Sequence, residues 1–162
     1  MSSRMSMYRD WQFSQMERVI PVYRQLTQNM SREEQRNLRD GGTGWTVVEV
    51  ICHLRDFDGI FQQRAEMTLS QENAALPFPD PDRLARERNY NVLDASTALS
   101  QWEAARRRMM DVFQGIADED IWNKTAAHPK RGPFSLNDQL MLVPQHDMLH
   151  LAQLIKILGE RR

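Results

Sequence analysis

With 162 residues, 21 basic against 22 acidic side chains and a formal charge of −1, the chain has the length of one ordinary domain. It also has too little positive charge to be expected to hold nucleic acid through phosphate contacts. Its one cysteine, Cys52, excludes an internal disulfide. The opening MSSRMSMYRDWQF lacks a secretory apolar core, and no run of 18 apolar residues could span a bilayer. No membrane partner is therefore expected, and the expected compartment is the cytoplasm.

Apolar residues recur at three- and four-residue spacing over most of the chain. Trp11, Met16, Val19, Ile20, Tyr23 and Leu26 predict a first helix over residues 7–30, which Pro21 should kink or split. Gly41, Gly42 and Gly44 mark a loop. Thr46 and Glu49 then form a capping box, opening a second helix that runs to about Ser70. One stripe of it carries Val50, His53, Phe57, Ile60, Arg64 and Met67. Residues 73–82, with three prolines, must be a connection, followed by a short helix at 82–90.

A third long helix fits residues 96–116, with Leu99, Trp102, Ala105, Met109, Val112 and Phe113 inward. Arg106, Arg107 and Arg108 span about 300° of its circumference and so read as a solvated face, not a patch. A helical turn at Asp118–Trp122 and the loop AAHPKRGPF lead to Ser135, which caps a fourth long helix closed by Gly159. No convincing alternating strand occurs. The expected fold is all-α: a four-helix bundle, one domain over residues 1–162, with a longer connection between helices 2 and 3.

The chemistry concentrates in three histidines. His146 and His150 stand four residues apart in HDMLH, on one helix face, where two imidazoles can meet one ion. His53, on an otherwise mostly apolar face of the second helix, can supply a third nitrogen and leave coordination positions open, as in a reactive site. Imidazole suits Zn, Ni, Fe or Cu.

Other candidates are weaker. Asp56, three residues after His53, could orient an imidazole or move a proton, or be a surface carboxylate. Gln153 falls on the face of His150 and could line the pocket. Arg64 could bind an anionic group, with a surface ion pair the plainer reading. His128 reads as an exposed or loop-capping histidine, and Cys52 as a small buried filler. Asp147 points about 100° away from His146, toward solvent or another helix. Phe57, Ile60, Trp102, Met109 and Met148 read as core.

The segments GWTVVEVICHL, DEDIW, HPKRGPFSLNDQL and HDMLHLAQL, in this order, resemble the DinB/YfiT-like superfamily over roughly residues 10–158. The resemblance implies an up-down-down-up four-helix bundle holding a divalent metal (Zn, Ni, Fe or Mn) on His53, His146 and His150, and often a homodimer. It further implies a small-molecule substrate. Thiol-dependent transfer or isomerisation with a low-molecular-weight thiol cosubstrate, or hydrolysis, are the expected reaction types. Leu142 stands where the family often has another histidine, and Pro144 replaces a helix-friendly residue and should kink the last helix. A nonenzymatic metal-binding stress-response bundle, or a bundle that no longer binds metal, remain as alternatives to the enzyme.

Overall fold

Capping chemistry sets the frame. In a computed structural model describing residues 4–160, the Thr46 hydroxyl accepts from the Glu49 amide while the Glu49 carboxylate accepts from the Thr46 amide, and this box opens helix α3 (Val47–Ser70). Asp94 caps α5 (Ala95–Gln114), and Ser135 with Asp138 forms the box that opens α6 (Leu136–Gly159). With α1 (Arg4–Thr27) these are the four long helices of the bundle. The shorter α2 (Arg32–Asn37) and α4 (Pro81–Glu87) lie in the connections. The ends of the expected 1–162 domain, residues 1–3 and 161–162, lie outside the described residues.

Two apolar clusters fix the helix directions. One joins Val19 and Tyr23 of α1, Val50 and Leu54 of α3, Leu99 and Trp102 of α5, and Leu154 and Ile157 of α6. The other joins Met16, Phe57, Phe61, Met109, Phe113, Leu136 and Leu140. The C-terminal halves of α1 and α6 thus share an end with the N-terminal halves of α3 and α5, which is an up-down-down-up order. Two successive parallel helices require a long return, and residues 71–94 with α4 supply it.

The structure departs from expectation at several places. α1 ends at Thr27 and a separate capped α2 follows, because Ser31 and Glu34 form a capping box of their own. Pro21 does not split α1. The loop AAHPKRGPF is a two-stranded antiparallel hairpin, β1 (Thr125–His128) and β2 (Gly132–Ser135), paired His128 to Gly132 and Thr125 to Ser135. Its inward positions are Ala126 and His128 of β1 and Phe134 of β2, too few apolar residues for an alternating signal. Gly132 turns the chain at a φ of 72°.

Trp11 is 58% exposed, because five residues before Met16 it sits about 140° around the helix from the packed stripe. Met148 is 59% exposed for the same kind of reason, lying about 200° from His146.

Between the two clusters the bundle's waist is polar. Arg106, expected on a solvated face, is buried there. It donates to Asp58 of α3 at 2.7 and 3.1 Å and to Asp147 of α6 at 2.7 and 2.8 Å. Trp102 Nε1 donates to the same Asp58 at 2.8 Å. Among the described residues, no helix is long and apolar enough to cross a membrane.

Candidate metal centre

The face of α3 that carries His53, Phe57 and Phe61 meets the face of α6 that carries His146 and His150. Four-residue spacing stacks each set along one side of its helix. One donor atom from each of His53, His146 and His150 falls within 4.8 Å of the others. The Nε2 atoms of His53 and His146 face each other at 2.9 Å. An ion on bonds of about 2.0–2.1 Å spaces neighbouring nitrogens by about 2.8–3.4 Å, from octahedral to tetrahedral angles, so this spacing fits a shared cation.

Protonation does not compete well for that position. Burial, then the fields of His146 and His150, pushes His53 down to about 2. Burial, then His150, pushes His146 down to about 3. Burial also lowers His150, against the opposing effect of its bond to Gln153. Charging a ring is thus disfavoured, and the facing Nε2 atoms of two neutral rings are bridged either by one ring's own N–H or by a metal cation. Neutral, convergent imidazoles are the form that binds a metal. His53 Nδ1, on the far side of its ring from His146, is sealed from solvent without a protein partner.

Aromatic packing sets the ring orientations. Trp45, on the loop before α3, lies 4.6 Å from His53 and stacks on His150 at 6.0 Å and 14°. Phe57 lies 4.2 Å from His53 and 5.2 Å from His146, and Phe61 meets His146 edge-on. Trp45 is itself anchored, donating from Nε1 to Asp82 at 2.9 Å.

Gln153 is placed beside the cluster through His150. His150 Nδ1 donates to Gln153 Oε1 at 2.8 Å, and Gln153 Nε2 donates to Asp40 Oδ2 at 3.0 Å. Lys156 bonds to the other Asp40 oxygen and, with Gln153, holds that carboxyl below the ordinary carboxylate range. This chain fixes His150 as the Nδ1–H tautomer and turns Nε2 inward, as outer partners of metal-binding histidines do.

Asp56 does not join the cluster. Its carboxylate accepts from Arg55 Nε and Arg88 Nη1, each at 2.7 Å, and from the Tyr90 hydroxyl at 2.5 Å. Arg64 makes no surface ion pair; it is buried, and its Nε and Nη2 donate to the Pro77 carbonyl at 2.9 and 2.7 Å. His128 is buried, not exposed, and caps its loop by accepting from the Lys130 amide at 3.2 Å. Cys52 is buried near the Tyr90 carbonyl, and burial pushes its thiol up to about 12.

Asp40 and Trp45 escaped sequence reasoning as site residues. The only cue was the tryptophan next to the Thr46 cap; nothing in the sequence couples Asp40 to a helix over a hundred residues away.

The DinB superfamily model matches residues 15–154. The chain belongs to the DinB superfamily. Two proteins of Oceanobacillus iheyensis, both named as candidate metal-dependent hydrolases, are similar. OB0782 is 28% identical over 114 residues, covering 70% of this chain and 65% of its own length. OB0413 is 21% identical over 122 residues, covering 75% and 68%. This DinB chain thus spans just under two thirds of the length of OB0782.

Among solved structures, YfiT from Bacillus subtilis, described as a metal-dependent hydrolase candidate of unusual four-helix bundle topology, superposes with a TM-score of 0.82. It is 22% identical, over 96% of this chain and 87% of that one. A mycothiol-dependent maleylpyruvate isomerase superposes at 0.69, with 14% identity over 90% of this chain and 60% of its own. At these identities the two structures show the fold.

Proposed function

We propose that this protein is a divalent-metal enzyme acting on a small molecule, with His53, His146 and His150 as the metal ligands and thiol-dependent transfer or isomerisation as its reaction. The observation that carries the reading is the convergence of three desolvated, neutral imidazoles from two facing helices. A divalent ion held there supplies Lewis acidity and favours the deprotonated form of a thiol or of water.

The chain's own groups do the remaining work. Gln153, backed by Asp40, keeps His150 in one tautomer. Trp45, Phe57 and Phe61 wall the cluster with apolar surface that excludes water from its α3 side. His146 is only partly buried, which leaves the α6 side the less covered side of the cluster.

Thiol chemistry is preferred to hydrolysis because, among the described residues, no carboxylate joins the cluster to act as a base, and Asp56 is engaged by three donors. In thiol transfer the nucleophile arrives with the cosubstrate. The mycothiol-dependent isomerase among the structural neighbours supports this choice. Hydrolysis is the second reading, supported by the names of the two Oceanobacillus relatives.

The test is turnover with low-molecular-weight thiols and activated electrophiles, beside a panel of esters and amides. Thiol consumption in the wild type, lost in a folded His150→Ala, supports transfer. Ester or amide cleavage with the same dependence shifts the assignment to hydrolysis. Bound metal with neither activity leaves the nonenzymatic metal-binding bundle.

A further inference from the structure

A second group of polar side chains adjoins the histidines and has no part in holding a metal. Arg64 is 2% exposed, yet among the described residues no carboxylate pairs with it. Buried arginines ordinarily pair with an acid, because an uncompensated charge away from water is costly. The other charges nearby are cations: Arg131 lies 5.7 Å from the ring of Phe134, itself 5.3 Å from the His128 ring, and Lys130 lies 4.8 Å from the ring of Phe78. The hairpin delivers these groups: β1 ends on His128, and the turn closed by Gly132 carries Lys130 and Arg131.

The donors have free capacity. The Pro77 carbonyl takes Nε and Nη2 of Arg64 and so fixes the guanidinium plane. His128 accepts the Lys130 amide at Nδ1, which leaves Nε2 carrying the proton as a donor. Arg64 Nη1 and His128 Nε2 have no protein partner, and neither is sealed from solvent.

The surroundings are aromatic. Phe78, 42% exposed, lies 5.3 Å from the His128 ring and 5.9 Å from the Arg64 guanidinium. Phe61 touches both this group and the metal centre, with Arg64 5.6 Å from its ring centre and His146 5.5 Å from it.

We propose that Arg64, His128 and Arg131 form a seat for an oxyanion, and that it takes the acidic head of the substrate whose reactive end meets the three histidines. This rests on the assignment of the histidine cluster as the reaction site and adds the substrate class: a small molecule bearing a carboxylate or phosphate beside an apolar body. A planar guanidinium and an imidazole N–H suit the two oxygens of either group, and the phenylalanine rings suit the body. Because the charge is otherwise uncompensated, the anion supplies what the fold leaves out.

The seat is tested by calorimetric titration of the full chain with benzoate and, separately, with inorganic phosphate. The variants are Arg64→Met and Arg131→Gln; the second lies on an exposed turn and keeps the test valid if the first fails to fold by circular dichroism. Saturable binding of either probe, weakened about tenfold or more in the variants, is expected, as for loss of a charge-assisted contact. Preference for benzoate assigns a carboxylate head, and preference for phosphate a phosphate ester.

No saturable binding of either probe, or binding that both folded variants leave within twofold of wild type, overturns the seat. Zinc content of the same samples separates the two ideas. Zinc without probe binding removes the seat and leaves the metal centre standing, whereas probe binding without zinc does the reverse.

Discussion

Replacing Arg106 by Met tests how the bundle's waist is held. The guanidinium is almost wholly buried and satisfies two carboxylates at once, with four contacts between 2.7 and 3.1 Å. Methionine fills much of the volume but leaves Asp58 and Asp147 buried and facing each other. Breaking one side of a buried ion pair costs about 3–5 kcal/mol, against about 5–15 kcal/mol of stability for a whole domain. For a chain of this size the loss corresponds to a fall in Tm of about 6–20 °C.

The cost should also depend on pH. Burial pushes Asp58 above the ordinary carboxylate range despite the opposing charge of Arg106, and removing that charge raises it further. A carboxyl whose folded pKa exceeds its unfolded value, about 3.9, takes up a proton on folding, so its penalty is full at high pH and shrinks as pH falls. Urea unfolding of wild type and Arg106→Met at about pH 8 and about pH 5.5 measures both effects. A loss below about 1 kcal/mol, or one that grows on acidification, would refute the reasoning.

Three further outcomes are expected. In metal-free protein the histidines bear on stability with the opposite sign. His53 and His146 stay neutral in the folded state down to about 2 and about 3, while the unfolded chain gains protons below about pH 6.5. Stability from these groups is therefore present above about pH 6.5 and is lost on acidification. Between about pH 7 and about pH 5.5 the wild type should lose about 1 kcal/mol more than His146→Gln; equal losses would contradict the buried neutral state. Gln153→Leu, which cuts the link between His150 and Asp40, should weaken zinc binding by about 10–100-fold in a competition titration with a chromophoric chelator, and an unchanged affinity would remove Gln153 from the site. The expected homodimer has a surface to use: a cleft of about 680 Å³ between α1 and α6, bordered by exposed Trp11, Val22 and Met148. Light scattering should return twice the chain mass of 19.0 kDa for wild type and a single mass for Met148→Glu, whereas a monomeric wild type would end the idea.

The bundle was legible where periodicity and caps agree. Thr46 and Ser135 mark helix starts to the residue, and the apolar stripes of α3 and α5 identify their buried faces. The hairpin was not, because β1 turns only an alanine and a histidine inward, β2 only Phe134, and the pairing depends on a turn at Gly132. The surface readings of Arg106 and Arg64 failed for one physical reason. Burial of a charge depends on partners far off in the chain: Arg106 finds Asp58 and Asp147, and Arg64 finds the Pro77 carbonyl.

At the histidines, the four-residue spacing of His146 and His150 was readable, whereas the approach of His53 needed the antiparallel pairing of α3 and α6. Asp56 illustrates the converse. It shares a helix side with His53, yet Arg88 and Tyr90, contributed by the connection after α4, draw its carboxylate elsewhere.

The central claim is that His53, His146 and His150 together hold one divalent ion. Metal content by plasma mass spectrometry, on tag-free wild type and His146→Ala prepared identically, tests it most directly. About one equivalent of a divalent metal in the wild type, lost in a variant that stays folded, is the predicted result. No metal in either protein after incubation with Zn, Ni, Fe and Mn, or equal metal in both, would contradict it.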